Sequence, residues 1–144
     1  GAEAKVMDPQ QRLLLEVIYY GFHQHGLTKQ SLTGSDTAVV VGQCNNDWGH
    51  MGFMMEALPK LGPYSGLAVS TSISSNRVSY ILGLKGPSAT VDTACSSSLM
   101  ATDIVVSNLR RQRCALGAAA GVNLNLIPGL FIAFSKALML SEDG

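Results

Sequence analysis

The sequence has little charge, few aromatic residues and no long apolar run. The low charge and the short apolar runs each argue against one class of protein. Charged residues make up 14% of the 144 residues and balance to a net charge of zero, and aromatic residues make up 6%. This composition argues against a nucleic-acid-binding protein, because such proteins carry basic patches. No apolar segment reaches the roughly 18 residues needed to span a bilayer, so we expect no membrane span.

Cysteine is scarce, and the positions of the cysteines argue against a disulfide framework and against a metal site. The three cysteines, Cys44, Cys95 and Cys114, are odd in number and widely spaced, which is not typical of a disulfide framework. We therefore expect an intracellular, cytoplasmic protein with reduced thiols. Cys44 and His50 lack the paired spacing of a metal site, so we predict no bound metal.

Both ends of the sequence indicate a fragment of a longer protein. The first residues, GAEAKVMDPQ, do not start with methionine and lack the basic-then-apolar pattern of a signal peptide. The last residues, LSEDG, form neither a tail nor a helix cap. We expect a single partial domain over residues 1–144, truncated at both ends.

Apolar segments of strand and helix character alternate along the chain, which predicts an α/β fold. The run TAVVVG at 37–42 is continuously apolar, as in a strand covered on both faces. Residues 44–64, rich in Asn, Gly and Met, are expected to form an irregular loop. Further strands are predicted at 88–93 and 114–126, and helices at 9–26, 70–82, 96–111 and 129–138.

Two of these helices carry additional signals. Asp8 is suited to cap the first helix, Pro9 needs no N–H partner there, and Gln11 is placed to reach back to the cap. Gly26 is expected to close that helix in a left-handed conformation. The helix at 96–111 is apolar nearly all round, which predicts burial in the core.

Cys95 stands in the segment DTACSSSL, where a predicted strand gives way to a helix. Free N–H groups and the dipole at a helix start stabilise a thiolate, and the same N–H groups can donate to an oxyanion. The small neighbours Ala94, Ser96, Ser97 and Ser98 leave room for an acyl group. Cysteine is also among the most buried residue types, so position alone leaves a nucleophile and an inert packing residue equally open.

The segment DTACSSSL resembles the active-site signature of β-ketoacyl synthase (ketosynthase) domains in type I polyketide synthases and related fatty acid synthases. The similarity extends, in the family's order, to MDPQQRLLLEV, VVVG, SNRVSYILGLKGPSATVDTACSSSL, AGVNLNLIP and FSKALMLSEDG. It covers nearly the whole chain. The resemblance implies the N-terminal half of such a domain, with a thiolase-like layered αβαβα fold.

The resemblance also implies an acyltransferase with Cys95 as the acyl-accepting nucleophile, whose backbone N–H contributes to the oxyanion hole. The phosphopantetheine arm of an acyl carrier protein delivers the acyl thioester, and no cofactor is bound directly. Decarboxylative Claisen condensation with a malonyl-type extender then gives a β-ketoacyl thioester. The family is homodimeric, and its strand corresponding to 88–93 pairs across the dimer axis.

The remaining polar candidates match no catalytic motif of this family, whose histidine pair and lysine lie beyond Gly144. These candidates are His23, His25, His50, Lys85 and Lys136. Cys44 and Cys114 lack a helix-start setting and are expected to be packing residues.

Two alternatives stay open. A fatty acid synthase 3-oxoacyl-[acyl-carrier-protein] synthase shares the signature. A non-catalytic ketosynthase-like partner is the other, although such proteins usually replace the nucleophile.

Overall fold

A parallel sheet with helices on both faces forms the part of the chain that the computed structural model describes, residues 2–54 and 62–143. The elements, in chain order, are α1 (Ala2–Val6), α2 (Pro9–Gln24), α3 (Lys29–Leu32), β1 (Thr37–Gly42), α4 (Asp47–Met54), α5 (Ser65–Val69), α6 (Ile73–Leu82), β2 (Ser88–Val91), α7 (Ser97–Arg110), β3 (Leu116–Gly121) and α8 (Gly129–Lys136). The predicted α/β class is confirmed.

The sheet has the strand order β2-β1-β3, and both pairings are parallel. Gly42, the last residue of β1, is in register with Val91 at the end of β2 and with Gly121 at the end of β3. The strands therefore end at one edge of the sheet. In open α/β sheets this carboxyl edge is the usual place for a ligand.

The central strand β1 is buried along its whole length, as its continuous apolar run predicts. Because side chains alternate between the faces of a strand, Val39 and Val41 join the core formed with α2 and α6. Val40 faces the other way and packs with Ala101 and Val105 of α7. A helical layer thus covers each face of the strand.

Helix α7 is less buried than its apolar composition predicts. Its buried residues, Ser97, Ala101 and Val105, are four positions apart and form one stripe against the sheet. Leu99 is 72% exposed and Met100 is 41% exposed. The expectation of a helix buried nearly all round is therefore wrong within this chain, because the described residues cover only one side of it.

Several element boundaries also differ from the expectations. The segment predicted as an irregular loop contains α4, although residues 55–61 of that loop lie outside the described part. The helix predicted at 70–82 begins three residues later, at Ile73, because Ser70 has an extended backbone and caps the end of α5. The strands after β1 are shorter than predicted, since β2 ends at Val91 and β3 at Gly121.

The start of α2 combines a confirmed cap with an unexpected buried network. The Asp8 side chain accepts a hydrogen bond from the backbone N–H of Gln10 at 2.8 Å, as predicted for a cap. Gln11 does not reach back to the cap, so that expectation is wrong. Its side chain is buried, accepts from Arg77 Nε at 2.8 Å and donates to the carbonyl of Leu67 at 3.2 Å. The network thereby joins α2 to α5 and α6.

The first turn of α7 lies very close to the carboxyl edge of the sheet, and glycines make that approach possible. A Cβ atom on Gly42 would lie 2.5 Å from the backbone nitrogen of Ser98 and 2.6 Å from the carbonyl oxygen of Ser97. One on Gly121 would lie 2.7 Å from the Ser98 Cβ. These separations are shorter than van der Waals contact, so only glycine allows the helix to start at this place.

We predict that Gly42→Ala destabilises the protein by about 1–3 kcal/mol, the usual cost of forcing atoms into a packed site. The opposing atoms belong to the backbone of α7 and cannot rotate away. Thermal unfolding followed by circular dichroism measures the change. Gly21→Ala in α2 is the matched control, because nothing lies within 4 Å of its added Cβ. The control is expected to stabilise the helix by up to about 1 kcal/mol. Equal stability of native protein and Gly42→Ala contradicts this account of the approach.

Candidate active site

Cys95 lies at the carboxyl edge of the sheet, in the connection between β2 and α7, and its side chain is exposed. It stands two positions before the first residue of α7. The structure therefore confirms the predicted setting, a cysteine between the end of a strand and the start of a helix. Within the described part of the chain, Cys95 is therefore not a buried packing residue.

The turn that carries Cys95 is held by its own side chains. The Asp92 carboxylate accepts from the Ala94 N–H at 2.9 Å. The Ser97 hydroxyl accepts from the Thr93 N–H at 2.9 Å and donates to the Ala94 carbonyl at 2.7 Å. Ser97 is buried beneath the turn, so its two bonds are partly shielded from water, whereas the bond to Asp92 is exposed.

Ala94, directly before Cys95, has a left-handed backbone with φ of 53°. This conformation costs a non-glycine residue roughly 1–2 kcal/mol. The bonds that Asp92 and Ser97 make to Ala94 hold it there. Strain that the surroundings impose in this way is common where a side chain must be presented in one direction.

Cys95 opens onto a cleft of about 800 Å³ at the carboxyl edge. The cleft has an apolar side, formed by Leu130, Phe131 and Phe134 of α8. Its full lining is Gly42, Cys44, Asn45, Ala94, Cys95, Ser97, Ser98, Gly121, Val122, Asn123, Asn125, Leu130, Phe131 and Phe134. This size and lining suit a small organic group with an apolar portion.

The other two cysteines differ in their exposure to solvent. Cys114 is buried, which confirms the expectation of a packing role. Cys44 is exposed and lines the same cleft as Cys95, so the expectation that it packs in the interior is wrong. Cys44 comes two residues after the end of β1, at the carboxyl edge of the sheet, and this position places it beside the cleft.

The histidines and lysines considered from the sequence do not line the cleft. His23 and His25 lie at the end of α2, and the exposed His50 lies on α4. Lys136 ends α8. Within 2–54 and 62–143, no group of three or more His, Cys, Asp or Glu side chains is placed to hold a metal ion. No helix in those ranges is long and apolar enough to cross a membrane.

A polar clamp, formed by Asn45 and Asp47, joins the loop after β1 to the loop after β3. The Asn45 amide donates to the Leu124 carbonyl at 2.8 Å. Asp47 accepts from the backbone N–H groups of Leu126 at 2.8 Å and Ile127 at 3.1 Å. Sequence analysis missed both residues, although polar residues directly after a fully buried strand were a usable signal.

The electrostatics of Asp47 follow from these contacts. Burial by itself acts to raise the pKa of this carboxyl, but the N–H donors of Leu126 and Ile127 outweigh burial. The Asn45 side chain and the nearby His50 act in the same direction as the donors. The pKa of Asp47 therefore lies below its ordinary value, and the group is ionised at neutral pH.

Comparison with known families supports the resemblance drawn from the sequence. The family model described as "Beta-ketoacyl synthase, N-terminal domain" matches residues 1–144. The hybrid PKS-NRPS synthetase mpsA of Macrophomina phaseolina is 49% identical over 142 residues, which are 99% of this chain and 4% of the relative. The polyketide synthase component of compactin nonaketide synthase from Penicillium citrinum is 46% identical, over 99% of this chain and 5% of the relative.

A solved structure gives the same result for the fold. The oxazolomycin ketosynthase domain OzmH KS7 of Streptomyces albus JA3453 superposes with a TM-score of 0.87 at 33% identity. The match covers 99% of this chain and 24% of that chain. The thiolase-like α/β fold implied by the resemblance is confirmed for the N-terminal part. The chain spans about a quarter of that structure and about a twentieth of the curated relatives.

We predict a pH-dependent contribution of Asp47 to stability. Because its folded-state pKa is lowered, this contribution is complete above the unfolded-state pKa of about 3.9 and is lost as the pH falls through the folded-state value. Asp47→Asn should therefore lower the melting temperature at pH 7, and the gap to native protein should narrow below about pH 4.

The matched control is Asp103→Asn, which changes an exposed carboxylate on α7. Melting curves of native protein and both variants between pH 3 and pH 7 provide the measurement. A gap for Asp47→Asn that stays constant over this range speaks against an ionised clamp.

Proposed function

The chain belongs to the β-ketoacyl synthase family, and on that basis we propose that its complete protein is a polyketide synthase ketosynthase that carries its acyl chain on Cys95. The observation that supports this role best is the position of Cys95. Its thiol is exposed at the start of α7, beside a cleft with an apolar side. Such a site presents a nucleophile and has space for an acyl chain.

In the first step, the Cys95 thiolate attacks the carbonyl carbon of an acyl thioester. A new C–S bond to Cys95 forms, and the bond to the incoming thioester's sulfur breaks. That sulfur leaves as a thiolate and takes up a proton. Entering and leaving sulfurs are chemically alike, so the transfer has little thermodynamic cost, and it divides the reaction into two easier steps.

Backbone geometry supports a role for the Cys95 N–H in this step. The N–H groups of Thr93, Ala94, Ser96 and Ser97 donate to acceptors inside the turn. Within the described part of the chain, no hydrogen bond of good geometry is found for the Cys95 N–H, although a β-bridge pairs Cys95 with Thr93. We propose that it donates to the oxyanion that develops on the thioester, as resemblance to the family implies.

The second step is a decarboxylative Claisen condensation. The extender's bond to its carboxylate breaks, CO₂ leaves, and the resulting carbanion attacks the acyl carbon on Cys95. The cysteine thiolate is expelled and a β-ketoacyl thioester is formed. By resemblance, the histidine pair and lysine that assist this step follow Gly144 in the complete domain. We therefore propose that residues 1–144 alone are inactive in condensation.

The family uses thioesters on the phosphopantetheine arm of an acyl carrier protein, and we propose the same partner here with no directly bound cofactor. We also propose a homodimer in which β2 pairs with its counterpart. Its support is that β2 is an edge strand among the described residues. The free cysteines suit a cytoplasmic location.

Different observations argue against the two alternatives, a fatty acid synthase enzyme and a non-catalytic ketosynthase-like partner. The curated relatives described above are polyketide synthases, which favours polyketide over fatty acid synthesis. A non-catalytic ketosynthase-like partner would not need a nucleophile, yet Cys95 is present and exposed.

We predict that Cys95→Ala in the complete protein lowers acyl loading by at least about 10³-fold, because the covalent route is removed. Loading is measured by intact-protein mass spectrometry after incubation with an acyl thioester. Cys114→Ala is the control, since Cys114 is buried and does not line the cleft. The control should load like native protein. Native-level loading of Cys95→Ala rules out the proposed nucleophile.

A further inference from the structure

The polar clamp of Asn45 and Asp47 reaches from one loop at the carboxyl edge to the segment that leads into α8. We propose that these two residues are positioning residues, which set the place of the apolar wall of α8 relative to Cys95 and thereby the acyl chain that the cleft accepts. The inference rests on the proposed function, because it concerns the acyl group on Cys95.

Asn45 is nearly inaccessible, with 6% of its surface exposed, and both its side-chain amide N–H groups and its backbone carbonyl are hydrogen-bonded. Its amide donates to the Leu124 carbonyl and to the Asn125 side chain at 3.0 Å. Its own carbonyl accepts from the side-chain amides of Gln10 at 3.1 Å and Gln43 at 3.2 Å. The clamp is therefore anchored to α2 and to the end of β1.

This anchor extends to a further helix. The Gln43 side chain accepts a hydrogen bond from the Ser74 hydroxyl at 2.6 Å, and both side chains are buried. Ser74 belongs to α6, which packs against β1. The clamp thus starts from the rigid core, whose packing does not permit small continuous displacements.

On its other side, the clamp is hydrogen-bonded to the segment that leads into α8. Asp47 binds the N–H groups of Leu126 and Ile127, and α8 begins at Gly129 immediately afterwards. No residue of α8 is buried within the described part of the chain. Among the described residues, the hydrogen bonds of the clamp therefore tie the segment before α8 to the core.

The wall that the clamp positions is the one an acyl chain would contact. Phe131 and Phe134 of α8 line the cleft together with Cys95. A short acyl group on the sulfur contacts mainly the turn, whereas a longer chain extends to the phenyl rings. A displaced α8 should therefore weaken acceptance of long chains more than of short ones.

The test compares acyl groups of two lengths in the complete protein. Acetyl and octanoyl thioesters of N-acetylcysteamine are the probes, and the rate of acyl loading gives kcat/KM for each. Asn45→Asp keeps the size of the side chain but places an acceptor oxygen against the Leu124 carbonyl. We expect the octanoyl-to-acetyl ratio to fall by about tenfold or more, the range that apolar contacts contribute to specificity.

Two further variants complete the design. Asp47→Asn keeps size and one acceptor oxygen but removes the charge, and it should lower the same ratio by a smaller factor. This variant decides the matter, because Asp47, unlike Asn45, does not line the cleft and can act only through the segment that it holds. Circular dichroism confirms that each variant is folded. The control Asp103→Asn changes a carboxylate of α7 that does not line the cleft, and it should leave the ratio as in native protein.

The outcomes separate the two claims. Failure of native protein to load either probe contradicts the proposed function. Native loading, together with an unchanged ratio in the folded clamp variants, overturns the positioning role while leaving the nucleophile intact. An equal loss for both probes also overturns it, because a general structural defect does not discriminate between chain lengths.

Discussion

The close approach of the first turn of α7 to the carboxyl edge of the sheet is the constraint on which the rest of the site depends. Gly42 and Gly121, paired in register at the ends of neighbouring strands, lack the atoms that would keep the helix away. The small residues Ala101 and Val105 then let the helix continue along the sheet. Because α7 starts there, the chain turns sharply between the end of β2 and Ser97, and Ala94 in this turn adopts a left-handed backbone. Cys95 is exposed as a consequence.

Three connecting segments with different roles meet at the carboxyl edge of the sheet. The loop after β2 presents the thiol, the loop after β1 supplies Asn45 and Asp47, and the loop after β3 leads into α8. Polar groups removed from water are costly unless they are bonded. The side-chain N–H groups and the backbone carbonyl of Asn45 meet that condition, which allows this polar residue to be nine-tenths buried. The segment after β1 thus fixes the loop after β3, whereas the turn that carries Cys95 is held by its own side chains.

Local sequence signals predicted the central features of the fold. The run of β1 is apolar without alternation because both faces are covered, and the cap at Asp8 and the end at Gly26 are local motifs. The setting of Cys95 followed from the change of a strand into a helix. These features depend on residues within a few positions of one another, which a sequence displays directly.

The features that were missed depend on contacts between distant parts of the chain. Gln11 looked like a capping residue, but its partners Leu67 and Arg77 are more than fifty positions away. Asn45 and Leu124 are likewise separated by 79 positions. The exposure of Leu99 on α7 shows the same limit, because composition reports that a helix is apolar and not which side is covered. The residues of the polar clamp, and the apolar wall that α8 forms, could therefore be identified only from the structure.

The measurement that tests the central claim most directly is the location of the acyl group in the complete protein after reaction with an acyl thioester. Trypsin places each cysteine of this chain in its own peptide, since Cys44 falls in residues 30–60, Cys95 in 86–110 and Cys114 in 114–136. Mass spectrometry of the digest then assigns the adduct. Our account predicts the added mass on the 86–110 peptide, at Cys95. An adduct on the 30–60 peptide, at the exposed Cys44, would contradict it.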